Sequence, residues 1–143
     1  MIKHTRAFLF MSLSFLVLLT GCGSGYTGQE PTSLQVTRFD QVTQHQAAPR
    51  VWTVTETHTV QQLFDEMQNM PMHQNQGADT CARAPYAYTL AFFVGTKSLQ
   101  KDELYTSCFT LTLADGSQRD PTTTFDALFA GMLHLSHKDV IGW

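Results

Sequence analysis

The sequence predicts an α+β domain in two layers: a mostly antiparallel sheet of about four strands with two helices on one face, in the order ββαββα. Three observations lead there. Four runs have the alternation and composition of strands, and two stretches carry apolar residues at helical spacing. Gly95-Thr96-Lys97 turns the chain between two of the strand-like runs, which makes them a hairpin. Two amphipathic helices need a surface to cover, and such a sheet provides one.

Residues 33–39 open the domain, with Leu34 and Val36 on one side and Gln35 and Thr37 on the other. Residues 40–50, rich in Gln, Ala and His with one Pro, read as loop. Residues 51–56 form the second strand, in which Trp52 and Val54 share a face. Thr59 and Gln62 then have the spacing of a capping box. Val60, Leu63, Phe64, Met67 and Met70 follow on one helical face until Pro71 ends the helix. Residues 72–85 are a polar connection containing Cys81.

Residues 86–94 alternate cleanly. Tyr86, Tyr88, Leu90, Phe92 and Val94 take one face, and Ala87, Thr89, Ala91 and Phe93 the other. Both faces are largely apolar, which predicts a central strand. Residues 104–113 are the next strand-like run, either continuous or broken near Ser107, and Asp115-Gly116 is a turn. After Pro121, Thr123 with Asp126 can cap a last helix. Its apolar face is Phe125, Leu128, Phe129, Met132 and Leu133, and its end is expected near residues 134–136.

The chain has 143 residues, enough for one ordinary domain, placed here at 33–143 with no internal repeat. Only 15% of residues are charged and the formal net charge is −3. That balance carries no electrostatic footprint for nucleic acid.

The first residues are an export signal rather than fold. Lys3 and Arg6 precede a 13-residue stretch, 7–19, that is apolar except for Ser12 and Ser14. This is too short for the roughly 20 residues of a spanning helix. It ends in Leu19-Thr20-Gly21-Cys22, which resembles the lipobox of bacterial lipoproteins. The resemblance implies that residues 1–21 are cut away and that Cys22 becomes an acylated N-terminus. The protein is then exported and held at the outer face of the cell membrane. With Gly23 next to Cys22, the family's sorting rule sends it to the outer membrane if the cell has one. One acyl chain binds marginally, whereas two or three anchor stably. Residues 22–32 are Gly-rich and polar, a flexible tether with a span on the order of 20 Å. Loss of Lys3 and Arg6 with the signal takes the net charge from −3 to −5.

Lipidation of Cys22 leaves Cys81 and Cys108. Export places them in an oxidising compartment, so a disulfide between them is expected. The midpoint of the two positions falls beside Gly95, and residues equidistant from a hairpin turn face each other. Closing a loop of this size contributes about 3–4 kcal/mol in the chain-entropy model. Residues 51–132 also resemble small lipoproteins of unknown function in Gram-positive bacteria, through Cys81, Tyr88-Thr89-Leu90, Cys108 and Phe125. In these a strand, a helix, a Cys-bearing loop, a hairpin, a second Cys and a final helix follow in that order. This resemblance implies a fold and no reaction.

Catalytic motifs are missing from the sequence: no Gly-x-Ser-x-Gly, no phosphate-cradling glycine loop and no His-Glu-x-x-His. The adjacent carboxylates Asp65-Glu66 and Asp102-Glu103 read as solvated surface. His45, His58, His73, His134 and His137 lie in the exported part. His134 and His137, three apart, can share a face of the last helix. Two histidines bind Zn or Cu only weakly, and a metal centre takes three or four ligands; the plainer role for this pair is at a helix C-terminus. The expectation is a non-enzymatic envelope lipoprotein with no cofactor and no metal. It would serve as a binding or accessory module, an inhibitor of an exported enzyme being one variant. Its partners would be the membrane, through the lipid, and an envelope protein or ligand. The alternative is a small exported enzyme or metal-handling protein using His134, His137 and a carboxylate.

Overall fold

The computed structural model describes residues 28–42, 48–74 and 85–141. The lipobox with Cys22, His45 and Cys81 lie outside the described residues, and so do the expectations that rest on them.

The described residues form one antiparallel sheet and three helices. β1 (Ser33–Asp40) and β2 (Arg50–Val54) lead into α1 (Thr57–Asn69). β3 (Tyr86–Val94), β4 (Lys97–Tyr105), β5 (Thr110–Thr112) and β6 (Gln118–Arg119) follow, and then α2 (Thr123–Met132) and α3 (His137–Ile141). The strand order is β2-β1-β3-β4-β5-β6. The α+β class and the antiparallel sheet agree with the sequence. Six strands and three helices replace the expected four and two.

The additional elements have local causes. Lys97–Tyr105 contains Lys97, Lys101, Asp102 and Glu103 and lacks an apolar rhythm. It is a strand because it pairs with β3 along its length. The run at 104–113 is broken by the turn at residues 106–109, where Phe109 has φ 47°. β6 is two residues long and rests on β5. α3 starts with its own capping box: the Ser136 amide and hydroxyl both donate to Asp139 Oδ2, at 3.2 and 2.6 Å.

The expected helix starts are each displaced. α1 begins two residues before Thr59, with Glu56 at its N-cap, and the Thr59 hydroxyl donates back to Glu56 Oε2 at 2.7 Å. The Thr59–Gln62 capping box is therefore not used. In α2 the cap is Thr122, whose oxygen accepts from the Phe125 amide at 3.0 Å. α2 then stops at Met132, because His134 adopts a left-handed φ of 54°.

β3 is central, between β1 and β4, and the described helices cover one of its faces. Leu34, Val36, Tyr88, Leu90, Phe92, Leu104 and Leu111 share the buried face with Val60, Leu63, Phe64 and Met67 of α1 and Phe125 and Phe129 of α2. Edge-to-face ring contacts of Phe64 with Phe92 (5.0 Å) and Tyr88 with Phe129 (5.3 Å) seat both helices on that face. Leu128 is only partly buried. The opposite face of β3, with Ala87, Thr89, Ala91 and Phe93, is half-buried.

Asp102 corrects the surface reading of Asp102-Glu103. Neighbours on a strand point to opposite faces, so Glu103 is exposed while Asp102 is 1% exposed on the helix-covered side. Its carboxylate accepts from Gln100 Nε2 (2.8 and 2.9 Å) and from the Ala114 amide (2.8 Å). This ties β4 to the loop between β5 and β6. Burial is the main reason its pKa is raised to about 6.

The hairpin register also departs from the expectation. β3 and β4 pair through Val94↔Lys97 and Ala87↔Tyr105, with an irregularity between Phe92 and Phe93. The turn is thus centred on Gly95-Thr96, with Gly95 at φ 58°. Cys108 itself lies past the end of β4, exposed in the turn before β5. The other half of the expected bridge, Cys81, lies outside the described residues.

Candidate functional site

The parity of β1 and β2 puts two arginines on the helix-covered face. Arg38 continues the series Leu34, Val36, and Arg50 shares its side of β2 with Trp52 and Val54. The register then makes Arg38 and Arg50 direct cross-strand partners. Like charges directly opposite each other destabilise a sheet. Part of that cost is offset by aromatic rings. The Arg38 guanidinium carbon lies 4.2 Å from the Tyr86 ring centroid and 5.7 Å from that of Trp52. The Arg50 guanidinium carbon lies 4.7 Å from the Trp52 centroid. Such contacts stabilise a cation by about 0.5–1 kcal/mol when exposed.

α3 closes the other side. The buried Tyr88 hydroxyl donates to the Val140 carbonyl at 2.9 Å. That bond seats α3 beside the sheet end and brings Lys138 and Asp139 to the arginines. The result is a cleft of about 410 Å³ lined by Arg38, Arg50, Tyr86, Leu135, Lys138 and Asp139. Of the six described Lys and Arg residues, three converge here.

The one carboxylate among the described residues of the cleft is committed elsewhere. Asp139 is bound by the Ser136 amide and hydroxyl, and these bonds chiefly lower its pKa, with Arg38 and Arg50 adding to the effect. Arg38 Nη1 reaches the Asp139 backbone carbonyl, at 3.4 Å, rather than its side chain. Both salt bridges among the described residues, His73–Asp120 and His137–Asp126, lie outside the cleft. Burial raises the Tyr88 pKa against the opposing influence of Arg38. Positions that break a local folding rule are expected at functional sites, and the opposed arginines are such a position.

The histidines do not share a helical face. His134 is the left-handed residue beyond α2 and lines a different cleft, of about 590 Å³, with Trp52, Glu56 and Leu128. His137 opens α3, hydrogen-bonds Asp126 Oδ2 through Nδ1, and meets the Phe109 ring edge-on. His73 is held by Asp120 at 2.5 Å. Among the described residues, no group of three or more His, Cys, Asp or Glu is arranged to hold a metal ion. A third concavity, about 710 Å³, lies on the open face of the sheet between Phe39 and Tyr105, with Lys101 and Glu103 at its side.

Two signals of the cleft were legible in the sequence. Arg38 has the parity of Leu34 and Val36, a charge where the pattern asks for an apolar residue. Ser136-His137-Lys138-Asp139 has the spacing of a capping box and announces a helix start. The opposition of Arg38 and Arg50 was not legible, because it depends on the β1–β2 register.

No protein-family model, curated protein or solved structure matches this chain. The functional reading therefore rests on the cleft itself.

Proposed function

We propose that this chain is an exported lipoprotein, anchored through acyl chains on Cys22 at the outer face of a membrane. In this reading its domain is a non-enzymatic binding module that holds an anionic group in the cleft of Arg38, Arg50 and Lys138. The observation that carries the binding role is the pair of directly opposed arginines, each lying against an aromatic ring and neither paired with a carboxylate side chain among the described residues. Guanidinium and ammonium groups keep their charge throughout the range pH 5–8. They hold an anion without exchanging protons with it, which suits retention rather than turnover. The lipobox supports the anchor, and residues 22–32 supply the tether.

A Cys81–Cys108 disulfide belongs to the same reading. Its support is export and the layout of the hairpin, in which the chain enters β3 and leaves β4 at one end.

Two measurements test the proposal. Metabolic labelling with a palmitate analogue should mark the wild-type chain and not Cys22→Ala; equal label on both removes the anchor. Calorimetric titration of the full chain in detergent with acetate, phosphate and sulfate should show saturable binding that weakens with added salt. Absence of binding to all three removes the anion site.

A further inference from the structure

The cleft's charge and shape narrow the anion. Among the described residues three cations and one carboxylate face it, a formal charge of +2. The guanidinium carbons of Arg38 and Arg50 lie 5.7 and 4.7 Å from one ring centroid, that of Trp52. An arginine lying over a ring keeps its N–H edge available, and that fork matches two oxygens of an oxyanion. The Arg50 fork, the Arg38 N–H groups not turned to the Asp139 carbonyl and an ammonium suit one tetrahedral, doubly charged group better than a planar carboxylate. The volume of about 410 Å³ exceeds what a bare oxyanion fills and lies within the range of small-molecule pockets. Tyr86 and Leu135 provide apolar wall for an organic substituent.

We infer that the cleft binds a phosphate monoester in its dianionic form, chelated between Arg38 and Arg50 with Lys138 as third partner. The inference rests on the proposed role of this cleft as an anion site. No bond is made or broken. The ester can be a soluble phosphorylated compound or the phosphomonoester headgroup of a membrane lipid, and the chemistry recognised is the same.

The cleft's own charges are steady while the ligand titrates. The ligand meets Arg38 on β1, Arg50 on β2 and Lys138 on α3, and the Ser136 hydrogen bonds hold the Asp139 carboxyl on α3 below the usual carboxylate range. Burial holds the Tyr88 phenol on β3 above its ordinary range. A phosphate monoester takes its second charge near pH 6, so affinity should follow the ligand.

The test is calorimetric titration of the full chain, reconstituted in phosphatidylcholine vesicles, with phenyl phosphate, a phosphate diester and acetate at pH 5 and pH 8. Phenyl phosphate should bind tightest and gain about tenfold between the two pH values, whereas the diester should not change. Arg38→Gln and Arg50→Gln should each weaken phenyl phosphate by about tenfold, the effect of losing a charge-assisted partner. Arg50→Lys, which keeps the charge and loses the fork, should fall between. Lys101→Gln, on the open face, should leave binding unchanged, and circular dichroism melts confirm that each variant is folded. Vesicles containing phosphatidic acid decide the source: suppression of phenyl phosphate binding assigns a lipid headgroup, and its persistence assigns a soluble ester. Equal affinity for all three anions, or indifference to the arginine variants, overturns the phosphate monoester while leaving an anion-binding module. No binding of any anion overturns both.

Discussion

The Tyr88 hydroxyl donates to the carbonyl of Val140 across the interface between β3 and α3, at 2.9 Å, with both residues buried. A five-residue helix has little stability of its own. Its position therefore depends on this bond and on Val140 in the core. Tyr88→Phe removes the donor and leaves a buried carbonyl unsatisfied. It should lower unfolding stability by about 1–3 kcal/mol in urea titrations. It should also weaken anion binding although Tyr88 is not among the lining residues, because Lys138 rides on α3.

Asp102 gives the protein a pH-dependent stability. Its pKa is raised to about 6 from 3.8, so between these values the folded state binds more protons than the unfolded one. Stability from this group is complete below about pH 4 and is lost as pH rises through about 6. With the side chain 1% exposed, the swing is on the order of 3 kcal/mol. Asp102→Asn keeps an acceptor for the Ala114 amide, and a rotation of the Gln100 amide satisfies the rest. Urea titrations from pH 4 to pH 7 should show a falling stability for wild type and a flat one for Asp102→Asn, with the variant the more stable at pH 7. Parallel curves would refute the assignment.

Leu63 and Leu128 look alike in the two helical patterns and differ in burial. Leu63 is fully buried under the sheet, and Leu128 is only partly covered. Leu63→Ala should cost about 2–5 kcal/mol. Leu128→Ala should cost roughly 1 kcal/mol, in line with an ordinary substitution outside a packed core. Paired denaturant titrations check the ordering, and equal losses would contradict the packing described.

Thiol titration of the unfolded, non-reduced mature protein should find no free cysteine, with Cys22 acylated and Cys81 bridged to Cys108. Two titratable thiols per chain would end the disulfide proposal. Reduction should lower stability by about 2–5 kcal/mol if the bridge is present.

The sequence by itself determined the strand and helix types wherever periodicity was strong. Leu34 and Val36, the alternation Tyr88–Leu90–Phe92, and the Val60–Leu63–Phe64–Met67 stripe all appear in the core as their spacing requires. These signals are local: each apolar residue marks its own face, so no knowledge of neighbours is needed. Only the tertiary structure decided the rest. The strand from Lys97 to Tyr105 exists because β3 offers it a hydrogen-bonding edge, not because its residues prefer the extended state. The parity that buries Asp102 beside Leu104 comes from the same pairing. Left-handed His134 ends α2 and separates two histidines that a longer helix would have aligned. The candidate site is the clearest case. Arg38 and Arg50 are twelve positions apart, and nothing local to either residue sets them opposite each other; the β1–β2 register does so, and the Tyr88–Val140 hydrogen bond then closes the cleft with Lys138.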